Sequence, residues 1–195
     1  MAIVWRCALS VSEYAVAGKV IEVPEPDCPS CGTVLRPWGW YERWVREEGR
    51  RHLICIRRFR CRGCEVTHAL LPDFLHVRRL DVIEVIGRVI ELAAKEVGAW
   101  KTSVELDLPF STVRDWRTRC RQRAPELLQR VAAVALGVGA ELRELPTKAV
   151  AALVAALKAA WNRSRERAAE AVAGLWRFWN AICSGKGLST NTSPA

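Results

Sequence analysis

Between residues 81 and 97 the apolar positions Val82, Val85, Ile86, Val89, Ile90, Ala93 and Val97 recur at steps of three and four. That spacing predicts a helix with one buried face, and Gly98 just beyond it reads as the stop signal. A short helix over 101–106 and a longer one over 110–123 follow, separated by Asp107-Leu108-Pro109. Pro125 suits the first turn of a further helix, 126–136, where its missing N–H is not needed. After Pro146, with Thr147 as a candidate N-cap, an Ala/Leu-rich helix runs to Trp161, and a last helix covers 165–182. Leu153, Leu157, Trp161, Ala168, Val172, Leu175, Trp176, Trp179 and Ile182 form an apolar stripe along these two. It either packs back on the preceding helices or forms a homodimer or partner surface, since Trp is enriched at such sites.

The first third of the chain has a different rhythm. Residues 38–46 and 51–60 are short aromatic and β-branched runs around Glu48-Gly49, the pattern of a hairpin. Residues 70–77 read as an apolar connector containing Pro72, and residues 1–27 as a lead ending in the stiff Val23-Pro24-Glu25-Pro26. Residues 184–195 are small and polar, the composition of a disordered tail. The predicted fold class is therefore α+β, mainly α. A lead (1–27) precedes a four-cysteine ribbon (28–80), a helix-turn-helix domain (81–136), a C-terminal helical hairpin (137–183) and the tail (184–195).

Charge sharpens this picture. The formal net charge is +9, which suits a polyanionic partner. Residues 28–80 hold eleven arginines against five acids, and residues 99–123 six basic residues against three. Arg suits bidentate contact with phosphate and guanine. No signal peptide is evident, and the longest apolar run near the C-terminus, 149–157, is far short of the ~18–20 residues that span a bilayer. A cytoplasmic, nucleoid-associated protein is expected, and its eight cysteines then argue for metal binding over disulfides.

Cys28-Pro29-Ser30-Cys31-Gly32 and Cys61-Arg62-Gly63-Cys64 are two paired-thiol turns separated by twenty-nine residues, enough for the hairpin. Four thiolates on two such turns make a closed tetrahedral shell, so Cys28, Cys31, Cys61 and Cys64 are expected to hold one structural zinc ion. Glu65 occupies the place in the second turn where glycine would be easiest. Cys55, Cys120 and Cys183 read as core residues, and His52, His68 and His76 as ordinary strand or loop residues.

The stretch from Ser103 to Trp116 places Leu106, Leu108, Val113 and Trp116 where two crossing helices meet, with Asp107 at the position that takes a left-handed turn. The second helix would present Ser111, Thr112, Arg114, Asp115, Arg117, Thr118 and Arg121, short polar groups followed by Arg, which is what docking in a DNA major groove requires. Arg57 and Arg58 of the ribbon are candidate phosphate contacts. A plain three-helix core with a solvated Arg face fits the same periodicity.

The two cysteine pairs, Arg57-Arg58-Phe59-Arg60-Cys61, Leu70-Leu71-Pro72-Asp73-Phe74-Leu75 and Ser111-Thr112-Val113-Arg114-Asp115-Trp116 together resemble the amino-terminal DNA-binding region of zinc-ribbon insertion-sequence transposases. They are most similar to short bacterial helix-turn-helix proteins that carry this region alone. The resemblance spans about residues 20–123 and implies double-stranded DNA as partner. Strand transfer by the transposases needs carboxylates holding two metal ions about 3.5–4 Å apart. Here no Asp follows Asp115, and the later acids, Glu126, Glu141, Glu144, Glu166 and Glu170, fall on predicted helix surfaces. No catalytic residue, small-molecule substrate or membrane contact is therefore expected. The expected role is a DNA-binding accessory or regulatory factor of a mobile genetic element. The alternatives are an adaptor that recruits a recombinase or polymerase through the Trp-rich helices, and RNA binding through Trp38, Trp40, Tyr41 and Trp44.

Overall fold

Strands β2 (Arg36–Glu47) and β3 (Arg50–Arg60) form the predicted hairpin. Glu48 and Gly49 close it at φ 46° and 78°, the left-handed pair a two-residue turn requires. The computed structural model describes residues 2–167 and 174–189. Among them the sheet has four strands in the order β1 (Ala2–Trp5), β4 (Thr67–Pro72), β3, β2. Strand β4 pairs antiparallel with β3, and β1 pairs parallel with β4, from Ala2 opposite Ala69 to Trp5 opposite Pro72.

Two sequence expectations are corrected here. The apolar connector over 70–77 begins as a strand, with Leu70 and Leu71 buried on opposite faces of the sheet. The N-terminal lead is an edge strand followed by helix α1 (Val11–Ala17), whose start is fixed by a capping box between Ser10 and Glu13. Cys7, Val11 and Tyr14 are buried with Val45, Ile54, Ile56, Leu71 and Phe74. Residues 2–17 therefore complete the sheet's core instead of leading into it.

The helical half comprises α2 (Ile83–Ala94), α3 (Ala99–Glu105), α4 (Phe110–Gly137), α5 (Ala149–Arg167) and α6 (Leu175–Ile182). The left-handed residue after α2 is Glu96 (φ 63°), while Gly98 (φ −60°) serves as N-cap of α3. Helix α4 passes through Pro125 without a break, where the sequence predicts a new helix. Interrupting it would take Ala124, Leu127, Val131 and Ala135, all buried, out of one continuous face. That apolar loss outweighs the roughly 3 kcal/mol that an interior proline costs.

Helix α5 packs chiefly on α4, and α6 meets both α2 and α5. The contact between α2 and α6 is close: a Cβ on Gly87 would lie 2.1 Å from Trp176 Cδ2. Trp176 and Trp179 meet edge to face with centroids 5.6 Å apart, and Trp179 is fully buried. The apolar stripe thus packs inward at these residues, while its members Ala168 and Val172 lie outside the described residues. Residues 184–189, expected to be disordered, fold onto the core. Leu188 is buried, and the Arg123 guanidinium donates to the carbonyls of Lys186, Gly187 and Ser189 at 2.5, 3.1 and 2.8 Å. The rest of the expected tail, 190–195, lies outside the described residues.

Candidate metal centre and basic helix face

The hairpin register brings the two cysteine turns together. Arg36 pairs with Arg60, so the chain entering β2 and the chain leaving β3 sit side by side, with Cys28 to Cys31 before one and Cys61 to Cys64 after the other. Each turn folds by the same backbone bonds: Cys28 N–H to Thr33 O at 2.9 Å, and Cys61 N–H to Val66 O at 2.9 Å. The residue after each pair is left-handed, Gly32 at φ 71° and Glu65 at φ 57°. Glu65 therefore adopts the conformation that its position asks of glycine, at a steric cost that glycine avoids.

The four sulfurs lie within 4.8 Å of one another, with Cys31 and Cys61 Sγ 3.3 Å apart and Cys28 and Cys64 Sγ 3.6 Å apart. A tetrahedral ion with bonds of about 2.3 Å to sulfur needs such separations. The donor set is all thiol, so these residues fit one metal ion that accepts thiolate. The Thr33 hydroxyl and amide hold the Cys31 thiol down, at about 6. For Cys64 the Val66 amide acts in the lowering direction but is outweighed by Cys61 and Cys28, and the thiol is pushed up to about 11. Gly63 keeps room over the cluster, since a Cβ there would stand 3.1 Å from Thr33 Oγ1 and 3.4 Å from Cys31 Sγ. His68 adds a neighbour that sequence spacing does not reveal: it is buried, with Nε2 3.6 Å from Cys28 Sγ.

Helices α3 and α4 are joined by a tight turn in which Asp107 takes φ 48°, the left-handed conformation expected of it. Leu108, Val113 and Trp116 are buried, and the Ser103 hydroxyl donates to Leu108 O at 2.7 Å, which ties α3 to the turn. On α4 Ser111, Arg114, Thr118 and Arg121 are exposed, and Thr112 is half-buried. Among the described residues Arg114 and Arg121 form no ion pair, although Arg114 lies 5.8 Å from the Phe110 ring centroid.

Four candidates point elsewhere. Asp115 pairs with Arg119 at 2.7 Å and with Arg79 at 3.6 Å. Arg117 donates to Val97 O at 2.5 Å and to Thr102 Oγ1 at 3.3 Å, bracing α4 against α3. Arg57 is half-buried over the Trp40 ring, 4.2 Å from its centroid. Arg58, also half-buried, donates to Thr67 Oγ1 at 3.2 Å.

Other surface groups escape sequence reasoning. Trp100 is 69% exposed and its ring centroid lies 6.0 Å from that of Phe110, so an aromatic pair stands at the start of α4, with Phe110 also facing Arg114. Helical periodicity does assign both outward, but apolar residues there carry no chemical signature. Arg62 projects from the second cysteine turn into solvent.

Residues 28–116 match the family described as Domain of unknown function (DUF6431). The match starts at the first thiol of the cluster and ends at Trp116, so it takes in the four-cysteine cluster, the sheet's main hairpin, α3 and the first two turns of α4. Helices α5 and α6 lie outside it. No curated protein and no solved structure matches the chain. No helix among the described residues is long and apolar enough to cross a membrane.

Proposed function

We propose that this chain is a zinc-containing, sequence-specific DNA-binding protein without catalytic activity, acting in the nucleoid as an accessory or regulatory factor of a mobile genetic element. The observation that carries the reading is the outward face of α4. Ser111, Arg114, Thr118 and Arg121 stand exposed on consecutive turns of one helix, behind a tight turn that α3 braces. Short hydroxyls at the start of a helix and arginines behind it are the chemistry that meets base edges in a major groove. Arg114 and Arg121 have no acid partner among the described residues, so duplex phosphate or guanine would not have to displace one.

Zinc is the ion of choice for four thiolates in a closed tetrahedral shell, and a shell without an open position gives it a structural role. It would hold the start of β2 and the end of β3 together. Asp115 and Arg117 serve this reading as positioning residues, since each is engaged within the protein. An adaptor role would have to use surfaces other than Trp176 and Trp179, which are buried. The test is selection from random duplexes with the zinc-loaded protein. A recurring site supports the reading, and a pool that stays random after repeated rounds removes it. With magnesium or manganese the same preparation is expected neither to cleave nor to join DNA strands.

A further inference from the structure

A cavity of about 780 Å³ opens between strand β2, the segment joining β4 to α2, and the C-terminal residues Lys186 and Ser189. Its size is within the range of small-molecule sites. Arg43, Arg78, Arg79 and Lys186 line it, together with Tyr41 and Trp44, and no Asp or Glu does. Ala2, Ala69, Leu71 and Val77 add apolar lining.

The balance of charge is one-sided. Arg43 donates to the carbonyl of Arg79 and has no carboxylate partner among the described residues. Arg78 and Lys186 likewise form no ion pair among them, and the one acid that reaches the group is Asp115, 3.6 Å from Arg79 and already held by Arg119. Burial drives the Arg43 guanidinium below its ordinary value. A desolvated cation without a counter-charge is costly, and an anion in the cavity removes that cost. Inorganic phosphate alone would satisfy the charges but would leave the aromatic and apolar lining unused. A planar aromatic ring with a phosphate uses both, because rings stack on Trp and Tyr and guanidinium groups bind phosphate through paired donors.

We infer that this cavity binds a nucleotide, with its base against Tyr41 and its phosphate among Arg43, Arg78 and Lys186. The source is either a free nucleotide or an unpaired nucleotide of a DNA strand. The inference is independent of the duplex reading of α4, because none of the exposed groups named on that helix lines the cavity.

Calorimetric titration of the full chain with adenosine 5′-monophosphate, adenosine, inorganic phosphate and a short oligothymidylate tests it. Adenosine monophosphate is expected to bind about tenfold or more tighter than either adenosine or phosphate. Arg78→Ala and Lys186→Gln, at positions that make no ion pair, should each weaken it about tenfold without lowering Tm, as expected for loss of a charge-assisted bond. Arg114→Ala should leave this affinity unchanged. An oligothymidylate that binds more tightly than the mononucleotide and loses the advantage in Arg78→Ala identifies a DNA strand as the source. If it binds no tighter, the free nucleotide is the source. Equal affinity for phosphate and adenosine monophosphate, or mononucleotide binding untouched by both cavity variants, overturns the inference.

Discussion

The Nε2 of His76 accepts a hydrogen bond from the backbone N–H of Leu188 at 3.0 Å, across 112 residues of chain. On the other side of the ring Nδ1 lies 3.0 Å from Val77 O, which can only accept, so the proton sits on Nδ1 and the ring is neutral. Burial keeps it so and lowers the group to about 4. With the Arg123 guanidinium on three neighbouring carbonyls, this bond holds residues 184–189 against the core.

Acid is therefore expected to strain this contact. Between pH 6.5 and about 4 the unfolded chain takes up a proton at His76 before the folded one does, so this group's stabilisation is lost as pH falls through that window. Asp73 works in the opposite sense. Burial, partly offset by Arg177, pushes it up to about 6 from 3.8, so the folded chain binds that proton first and acid favours folding there. In Asp73→Asn the His76 effect should stand uncompensated. Denaturant melts at pH 4–7 should show a steeper loss of stability than in wild type, by about 2–3 kcal/mol over the window. Equal slopes would mean that Asp73 ionises normally.

Gly87 is expected to tolerate no side chain. With a Cβ placed 2.1–2.4 Å from three atoms of the Trp176 ring, Gly87→Ala forces α2 and α6 apart. It should cost about 1–3 kcal/mol in urea melts, the range for overpacking a close contact. In a Trp176→Leu background the same change should cost clearly less, and the double-mutant cycle would report that coupling. Equal costs in both backgrounds would disconnect the two residues.

The zinc-loaded protein is expected to contain one metal ion per chain by mass spectrometry. Cys28→Ser or Cys61→Ser should remove it, together with hydrogen-exchange protection across residues 28–80, since the binding energy of roughly 10–16 kcal/mol in such modules is folding energy. The α4–α5 pair belongs to a separate cluster of buried residues and should keep its protection. Fully folded wild-type protein with no metal would contradict the assignment.

What could be read from the sequence was local. The two cysteine turns, the Glu48-Gly49 hairpin and the left-handed Asp107 follow from residue type and short spacing, and the structure has each of them. What escaped depends on distant partners. Ala2–Trp5 is a strand because it pairs in parallel with β4, more than sixty residues away. Residues 184–189 are ordered because His76 and Arg123 supply bonds that their small polar composition does not suggest. Helix α4 runs through Pro125 because its buried face continues on both sides. Asp115 and Arg117 look like DNA contacts by periodicity, yet ion pairs and carbonyl contacts engage them within the fold.

The measurement that tests the account most directly is the affinity of wild type and Arg114→Ala for the best selected duplex and for a scrambled one, at several salt concentrations. If α4 reads the major groove, Arg114→Ala lowers the preference by about 1–3 kcal/mol. It should do so with little change in the slope of log affinity against log salt, because a base contact releases no counterions, whereas loss of a phosphate contact would flatten that slope by about one unit. A wild-type protein that binds both duplexes equally, with Arg114→Ala indistinguishable from it, would contradict the claim that this helix recognises DNA sequence.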